Sequence, residues 1–222
     1  MKKIDVFDLL NEGRLALSGN WSKGVLATLS FAGAYFVAYF LLYVVLLLCG
    51  IDLDSDVTTF FELPVDIFFG TPLEFGLLLM FFFFVKEAKV MEMKDVFCAF
   101  NGTYYWKSIG VNVLMVIYIF LWMLLLIVPG IVKALSYSMA PYIIAENPEM
   151  SCEEAIQRSM KMMDGHKMEL FVLALCGVGL CLLSAVTLFI GLLWIMPWLS
   201  VVSAKFYFAV KADYEGVDVI VE

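Results

Sequence analysis

The sequence predicts an all-α, polytopic membrane protein with six transmembrane helices and three amphipathic helices on the cytoplasmic side. The 222 residues are 63% hydrophobic and 16% charged, with a mean hydropathy of +0.93, whereas soluble domains are about 45 to 50% apolar with about 25% charge. Uncharged stretches long enough to cross a bilayer recur along the chain. No Ser-, Pro- or Gly-rich linker divides it, so residues 1–222 are predicted to form a single integral membrane domain.

Uncharged stretches set the predicted spans. The first has 28 residues between Lys23 and Asp52, and a helix needs about 20 to cross the membrane. The 35-residue run of residues 170–204 would be roughly 52 Å long as one helix, so we expect it to fold back near residues 187–191. The predicted spans lie between Lys23 and Asp52 and at residues 67–85, 108–128, 131–145, 168–186 and 192–211.

The fourth stretch, residues 131–145, is only 15 residues long and contains Lys133 and Pro141. It is either a short, tilted span or a re-entrant element. We favour a span, because a re-entrant element would place Lys211 and the C-terminus on the opposite side from the other basic residues. Helix breaks are predicted at Pro129, Gly130, Pro141 and Pro197, because proline removes a backbone donor and glycine favours turns.

Basic residues predict the orientation, because Lys and Arg are retained on the cytoplasmic side. In a six-span arrangement, the lysines and arginines that flank the spans fall on one side, including Arg14, Lys23 and Lys211. The opposite loop, residues 52–66, contains five acidic residues and no basic one. Both termini are therefore predicted to be cytoplasmic. Acidic residues interrupt the N-terminal segment, so we expect an uncleaved first span rather than a signal peptide.

Three short amphipathic helices are predicted at residues 4–17, 90–100 and 151–166, each before a pair of spans. Ser151 and Glu154 form a capping box at the third. Each is followed by an aromatic residue or histidine near a lysine, a pairing suited to the headgroup boundary. The order predicts a threefold repeat, although any six-span protein can show such a rhythm by chance. The three pairs are Trp21 with Lys23, Trp106 with Lys107, and His166 with Lys167.

Ionisable residues within spans are candidate functional groups, because burying them in lipid is costly. Glu74 lies in the second predicted span and Lys133 near the outer end of the fourth. One hypothesis makes these two and the nearby polar residues the lining of a cavity or pore. The other has Lys133 reaching toward the headgroups and Glu74 protonated or hydrogen-bonded between helices. The remaining residues of this candidate polar site are Ser136, Tyr137 and Ser138.

Several classes of site are not indicated. The chain has no G-x-S-x-G, Gly-rich phosphate loop or H-E-x-x-H motif, so we expect no catalytic residue, no cofactor and no metal. His166 is the sole histidine and is predicted to lie at the membrane interface. The net charge of −8 with scattered basic residues argues against a nucleic-acid partner. The five cysteines show no regular spacing that would predict a disulfide framework.

The segment LWMLLLIVPGIVKALSYSMAPYIIAENPEMSCEEAIQRSMKMMDGHKMELF resembles a bacterial integral membrane family catalogued as domain of unknown function 975. The segment NEGRLALSGNW near the N-terminus is similar to that family's opening. The resemblance implies a multispanning protein of the bacterial cytoplasmic membrane and supplies no activity. The residues that carry the family-like motif are Arg14, Asn20, Trp21, Gly165, His166 and Lys167.

Two functions are compatible with this pattern. The favoured one is a non-enzymatic scaffold or accessory protein that binds membrane lipids or a protein partner, whether in the membrane, in the cytoplasm or as a second copy of the chain. The alternative is a transporter or channel subunit whose polar route passes Glu74 and Lys133 and the helices broken at Pro129 and Pro141.

Overall fold

The protein is described by a computed structural model over residues 4–51 and 56–216, in which helices dominate and no strand occurs. The α-helices in chain order are α1 (Val6–Ala16), α2 (Trp21–Leu48), α3 (Asp56–Val65), α4 (Thr71–Glu87), α5 (Gly102–Leu125), α6 (Ile127–Tyr137), α7 (Ala140–Glu146), α8 (Cys152–Met162), α9 (Lys167–Ser184) and α10 (Leu192–Glu215). A π-helical turn (Asp66–Gly70) joins α3 to α4, and two 3₁₀ helices lie at Met93–Phe100 and Ala185–Thr187.

Six helical segments in the described residues are long and apolar enough to cross a membrane, which confirms the six predicted spans. The fourth of them consists of α6 and α7 with a turn between. These helices bury two neighbouring apolar clusters, one around Phe82 and Tyr207 and the other around Leu73 and Phe81. The six segments are Trp21–Leu48, Thr58–Glu87, Gly102–Leu125, Ile127–Glu146, Lys167–Thr187 and Leu192–Glu215.

The helix boundary between the third and fourth spans lies at Leu126, whose backbone is extended (φ −162°, ψ 144°). The predicted breaks at Pro129 and Gly130 are therefore displaced, because both residues lie in the first turn of α6. Proline is tolerated there, since a first-turn N–H has no acceptor within its own helix. Pro141 likewise lies in the first turn of α7, directly after the turn that separates α6 from α7.

The uncharged run of residues 170–204 folds back where the sequence predicts. After α9, a 3₁₀ turn leads to Leu188 and Phe189, both in the left-handed region with φ of 51° and 64°. The predicted break at Pro197 is wrong, because α10 continues through it. One proline removes only one helical hydrogen bond, and α2 packs closely against this ring at Gly24.

The prediction of an acidic loop over residues 52–66 is wrong for residues 56–66, which are helical. Residues 52–55 lie outside the described part of the chain, but α3 begins at Asp56 and continues through the π turn into α4. Pro64 lies inside α3 and lacks the N–H that a regular helix would use. A π turn accommodates one extra residue in a helix, and such turns are a recognised response to an interrupted hydrogen-bond ladder.

Short helices occupy the three positions predicted to be amphipathic, and their buried residues pack into the bundle. Helix α1 lies along α10, where the Trp198 Nε1–H donates to the Leu10 carbonyl at 2.9 Å. The second helix is a 3₁₀ helix, Met93–Phe100, rather than an α-helix, and will be called the long 3₁₀ helix. Helix α8 buries Ile156 and Met162 among its neighbours. The cytoplasmic location of these helices and the threefold repeat remain predictions.

The long 3₁₀ helix approaches α4 most closely at Gly76. A Cβ atom placed on Gly76 would lie 1.9 Å from the Val96 carbonyl oxygen and 2.8 Å from its carbon. Both atoms belong to the backbone, so a side chain at this position would force the two elements apart. The buried Val96 and Ala99 side chains depend on the same approach.

We therefore expect Gly76→Ala to destabilise the protein, because overpacking costs roughly 1 to 3 kcal/mol. The measurement is the thermal unfolding midpoint of the purified protein in detergent. Gly179→Ala in α9 is the matched control, since no atom lies within 4 Å of the Cβ position of that glycine. Equal midpoints for the two variants would contradict the packing of the long 3₁₀ helix on α4.

Candidate functional site

The two ionisable residues of the predicted polar site, Glu74 and Lys133, do not converge. Glu74 is exposed on α4, within electrostatic reach of Asp66 and Tyr35. The Lys133 amine instead lies 4.8 Å from the centre of the Trp122 ring and 3.8 Å from the Met160 sulfur. The two ionisable groups therefore contact different parts of the bundle.

Two of the three other residues of that site, Ser136 and Ser138, use their hydroxyls locally. The Ser136 hydroxyl donates to the Val132 carbonyl and the Ser138 hydroxyl to the Leu135 carbonyl, each at 2.8 Å. The serine contacts are typical of polar residues that return to their own helix backbone rather than line a cavity. The Tyr137 ring packs against Tyr118 of α5, with 6.1 Å between ring centres, and its hydroxyl is hydrogen-bonded to the Trp122 side chain.

Helix α8 closes the turn between α6 and α7. The fully buried Ser159 hydroxyl donates to the Ser136 carbonyl at 2.7 Å and accepts from the Met139 N–H at 3.2 Å. Met160, whose sulfur the Lys133 amine contacts, is the next residue of α8. The sequence analysis placed Lys133 near the outer membrane surface and α8 on the cytoplasmic side. Because Lys133 contacts α8, both predictions cannot hold.

A series of tyrosines on α2 faces two carboxylates on the neighbouring helix. The Tyr35 and Tyr39 hydroxyls both donate to Asp66 Oδ1, at 2.6 and 2.7 Å, and the Tyr43 hydroxyl donates to Glu62 Oε1 at 2.6 Å. These five residues will be called the acid–tyrosine ladder. Sequence reasoning missed it by assigning both acids to a loop. The signal was present, because the tyrosines and the acids each recur every four residues, which is helical spacing.

A second group of charges gathers around Glu146 at the end of α7. Its carboxylate accepts from the Lys211 amine at 2.7 Å and the Tyr207 hydroxyl at 2.8 Å, and the Lys86 amine lies 3.4 Å away. Lys211 and Tyr207 belong to α10 and Lys86 to α4, so one carboxylate joins three helices. Nearby, Arg158 of α8 pairs with Glu215 of α10 at 3.0 Å.

His166, which was predicted to lie at the membrane interface, is buried within the protein directly before α9, and its depth in the membrane stays a prediction. The residue is only 2% exposed. Its Nδ1 lies 2.6 Å from Glu169 Oε2 and its Nε2 lies 3.1 Å from Asp213 Oδ2. Glu169 also accepts from the Ile4 N–H at 3.1 Å, so the histidine and its partners join α9, α10 and the segment before α1. Gly165, with φ of +88°, forms the turn that introduces the histidine.

The other family-like residues make local contacts. Arg14 donates to the Asn11 side chain, and Asn20 accepts from Lys23. Lys167 pairs with Asp164 at 3.4 Å. Trp21 is half-buried at the edge of the cluster around Leu73. None of these contacts brings the N-terminal part of the motif to His166.

Polar groups in the interior are satisfied within the protein. Over residues 4–51 and 56–216, no buried side-chain nitrogen or oxygen lacks a hydrogen-bond partner. Among the described residues, the acid–tyrosine ladder, Glu146 and His166 supply several of the side-chain hydrogen bonds between distant parts of the chain. The arrangement can hold helices together without a bound group.

One of three comparisons with known proteins identifies a family. The model of a family described as "Protein of unknown function (DUF975)" matches residues 3–136 and 124–214. No curated protein matches the chain. No solved structure matches it either.

We expect His166→Phe to destabilise the protein by about 3 kcal/mol, since leaving a buried hydrogen-bonding group without its partner costs roughly 1 to 3 kcal/mol, and more for a charged group. The phenyl ring fills similar space but leaves the Glu169 and Asp213 carboxylates facing an apolar group. The free energy of unfolding in detergent is the measurement. Lys161→Met, on the exposed side of α8, is the control. A His166→Phe protein as stable as the wild type would show that the histidine does not join these helices.

Proposed function

Because the chain belongs to the DUF975 family, whose description names no activity, we propose a role from its own geometry: a non-enzymatic scaffold or accessory protein of the membrane, which binds lipids or a protein partner. The observation that carries this proposal is the internal use of the buried polar groups. An enzyme or carrier directs some of its polar groups at a substrate. Here the partners of those groups are other side chains and backbone atoms of the same chain.

The outer surface supports a role within the bilayer. Large apolar side chains are exposed along α2, α5 and α9 and at the tip of the α5–α6 hairpin, where Leu124 to Val128 are each at least 64% exposed. A water-soluble protein rarely exposes a contiguous apolar area of this extent. Lipid is the solvent that fits such a surface, and a scaffold offers it to lipids and to other membrane proteins.

One observation favours the alternative of a transporter or channel. Glu62, Asp66 and Glu74 lie on the same membrane-length helix, and intramembrane carboxylates often mark ion routes. Two of the three already accept tyrosine hydrogen bonds. Lys133, the cation that the alternative requires beside them, contacts Trp122 and Met160 instead.

Reconstitution into liposomes separates the two functions. We expect no flux of K⁺, Na⁺, H⁺ or Cl⁻ above that of empty vesicles, and no change in Glu74→Gln or Lys133→Met proteins. Circular dichroism and gel filtration verify that both variants fold. A flux in the wild type that both folded variants lose would overturn the scaffold proposal in favour of transport.

The proposal includes a location in the bacterial plasma membrane with both termini in the cytoplasm. The distribution of basic residues supports it, since those flanking the six spans fall on one side. The apolar spans and the family are compatible with a multi-pass protein.

A cysteine at Asp54 tests this orientation, although that residue lies outside the described part of the chain. In a cysteine-free background, we expect Asp54→Cys to react with an impermeant maleimide in intact cells. Asp164→Cys, after the exposed end of α8, should react only after lysis. The reverse labelling pattern would place both termini outside.

A further inference from the structure

An apolar groove of about 770 Å³ runs along the surface of α2. Its floor is formed by small residues of α2, among them Ser30 and Gly33, and ends at Leu41. Phe69 from the π turn and Phe97 from the long 3₁₀ helix form its walls. This volume falls within the roughly 300 to 1,000 Å³ typical of small-molecule sites.

Lys94 marks one end of the groove. Helix α2 runs antiparallel to the α3–α4 helix, because Tyr43 meets Glu62 and Tyr35 meets Gly70. The long 3₁₀ helix covers Gly76, further along in the same direction. The Lys94 end of the groove therefore lies toward Ser30 and the N-terminus of α2.

The length of the groove matches one leaflet of a bilayer. Ser30 and Leu41 are eleven residues apart, which is about 16 Å along a helix axis. Half of the bilayer's hydrocarbon core is roughly 15 Å. An acyl chain of one leaflet therefore fits the groove along its length.

Lys94, which lines the end of the groove, is paired with Glu92 beside it. The Lys94 amine lies 2.6 Å from a Glu92 carboxylate oxygen, and the two side chains are 77% and 51% exposed. A zwitterionic headgroup with a phosphate and a primary ammonium complements this pair, whereas a purely anionic headgroup would face Glu92. Lysines at membrane interfaces extend toward headgroups in this way.

We propose that the groove binds one phospholipid with an ethanolamine headgroup. One acyl chain lies along α2 between Phe69 and Phe97, the phosphate contacts Lys94 and the ammonium contacts Glu92. This inference rests on the proposed function, since it names a ligand for a lipid-binding membrane protein. The lipid proposal is tested by counting bound lipid, whereas the scaffold proposal is tested by ion flux. Failure of one can therefore be distinguished from failure of the other.

Gly33→Leu is the variant that fills the groove. No atom lies within 4 Å of a Cβ at Gly33, so the added side chain occupies the groove without striking the fold. Gly179→Leu in α9 is the matched control, because its surroundings are equally open. Lys94→Gln removes the phosphate contact, with Lys161→Gln as its control.

The experiment incorporates each protein into nanodiscs of equal phosphatidylethanolamine and phosphatidylglycerol, then extracts it in mild detergent for native mass spectrometry. We expect one retained phosphatidylethanolamine on the wild type and on both controls, at least tenfold less on Gly33→Leu and several-fold less on Lys94→Gln. Gel filtration and the unfolding midpoint verify that the variants are folded.

Three results would overturn the proposal. One is equal lipid retention by folded Gly33→Leu and wild-type proteins. Another is preferential retention of phosphatidylglycerol. The third is a wild-type dimer that Gly33→Leu converts to a monomer, which would show that a second copy of the chain occupies the groove.

Discussion

The lack of water inside a bilayer is the constraint on which this fold depends. Each polar group placed there needs a partner from the protein, because lipid supplies none. Asp66 meets this requirement by accepting from two tyrosines, and Glu146 by accepting from lysine and tyrosine side chains of other helices. The polar contacts thus determine which helices lie side by side, while apolar packing fills the space between them.

The lengths of the uncharged stretches predicted the spans well, because a membrane helix can be recognised from length and composition alone. The first span, the fold-back near residue 187 and the two-part fourth span all follow from local features. Partners of polar groups could not be predicted, because they lie far apart along the chain: Asp66 is 31 residues from Tyr35, and Glu146 is 65 residues from Lys211. The burial of His166 beside Asp213 was missed for the same reason, since the two residues are 47 positions apart.

The short helices illustrate a different limit of sequence reasoning. An apolar stripe is equally compatible with lying on a membrane surface and with packing into a bundle. Close contacts at glycines show that these helices pack into the bundle. Gly13 lies against Val202, Gly76 against Val96 and Gly110 against Cys152. Each short helix approaches a long one at a glycine, because a larger residue would keep the two apart. These contacts are compatible with the predicted threefold repeat without establishing it.

The turn between α6 and α7 shows how an interrupted helix persists at membrane depth. Helix α6 has 11 residues, about 16 Å, so α7 is needed to complete a crossing. The turn leaves backbone N–H and C=O groups without helical partners. At membrane depth such groups are stable only when other groups of the protein form hydrogen bonds with them. Ser159 does so with one hydroxyl, donating to Ser136 and accepting from Met139. Helix α8 is therefore part of the fourth span's structure, and the depth of one fixes the depth of the other.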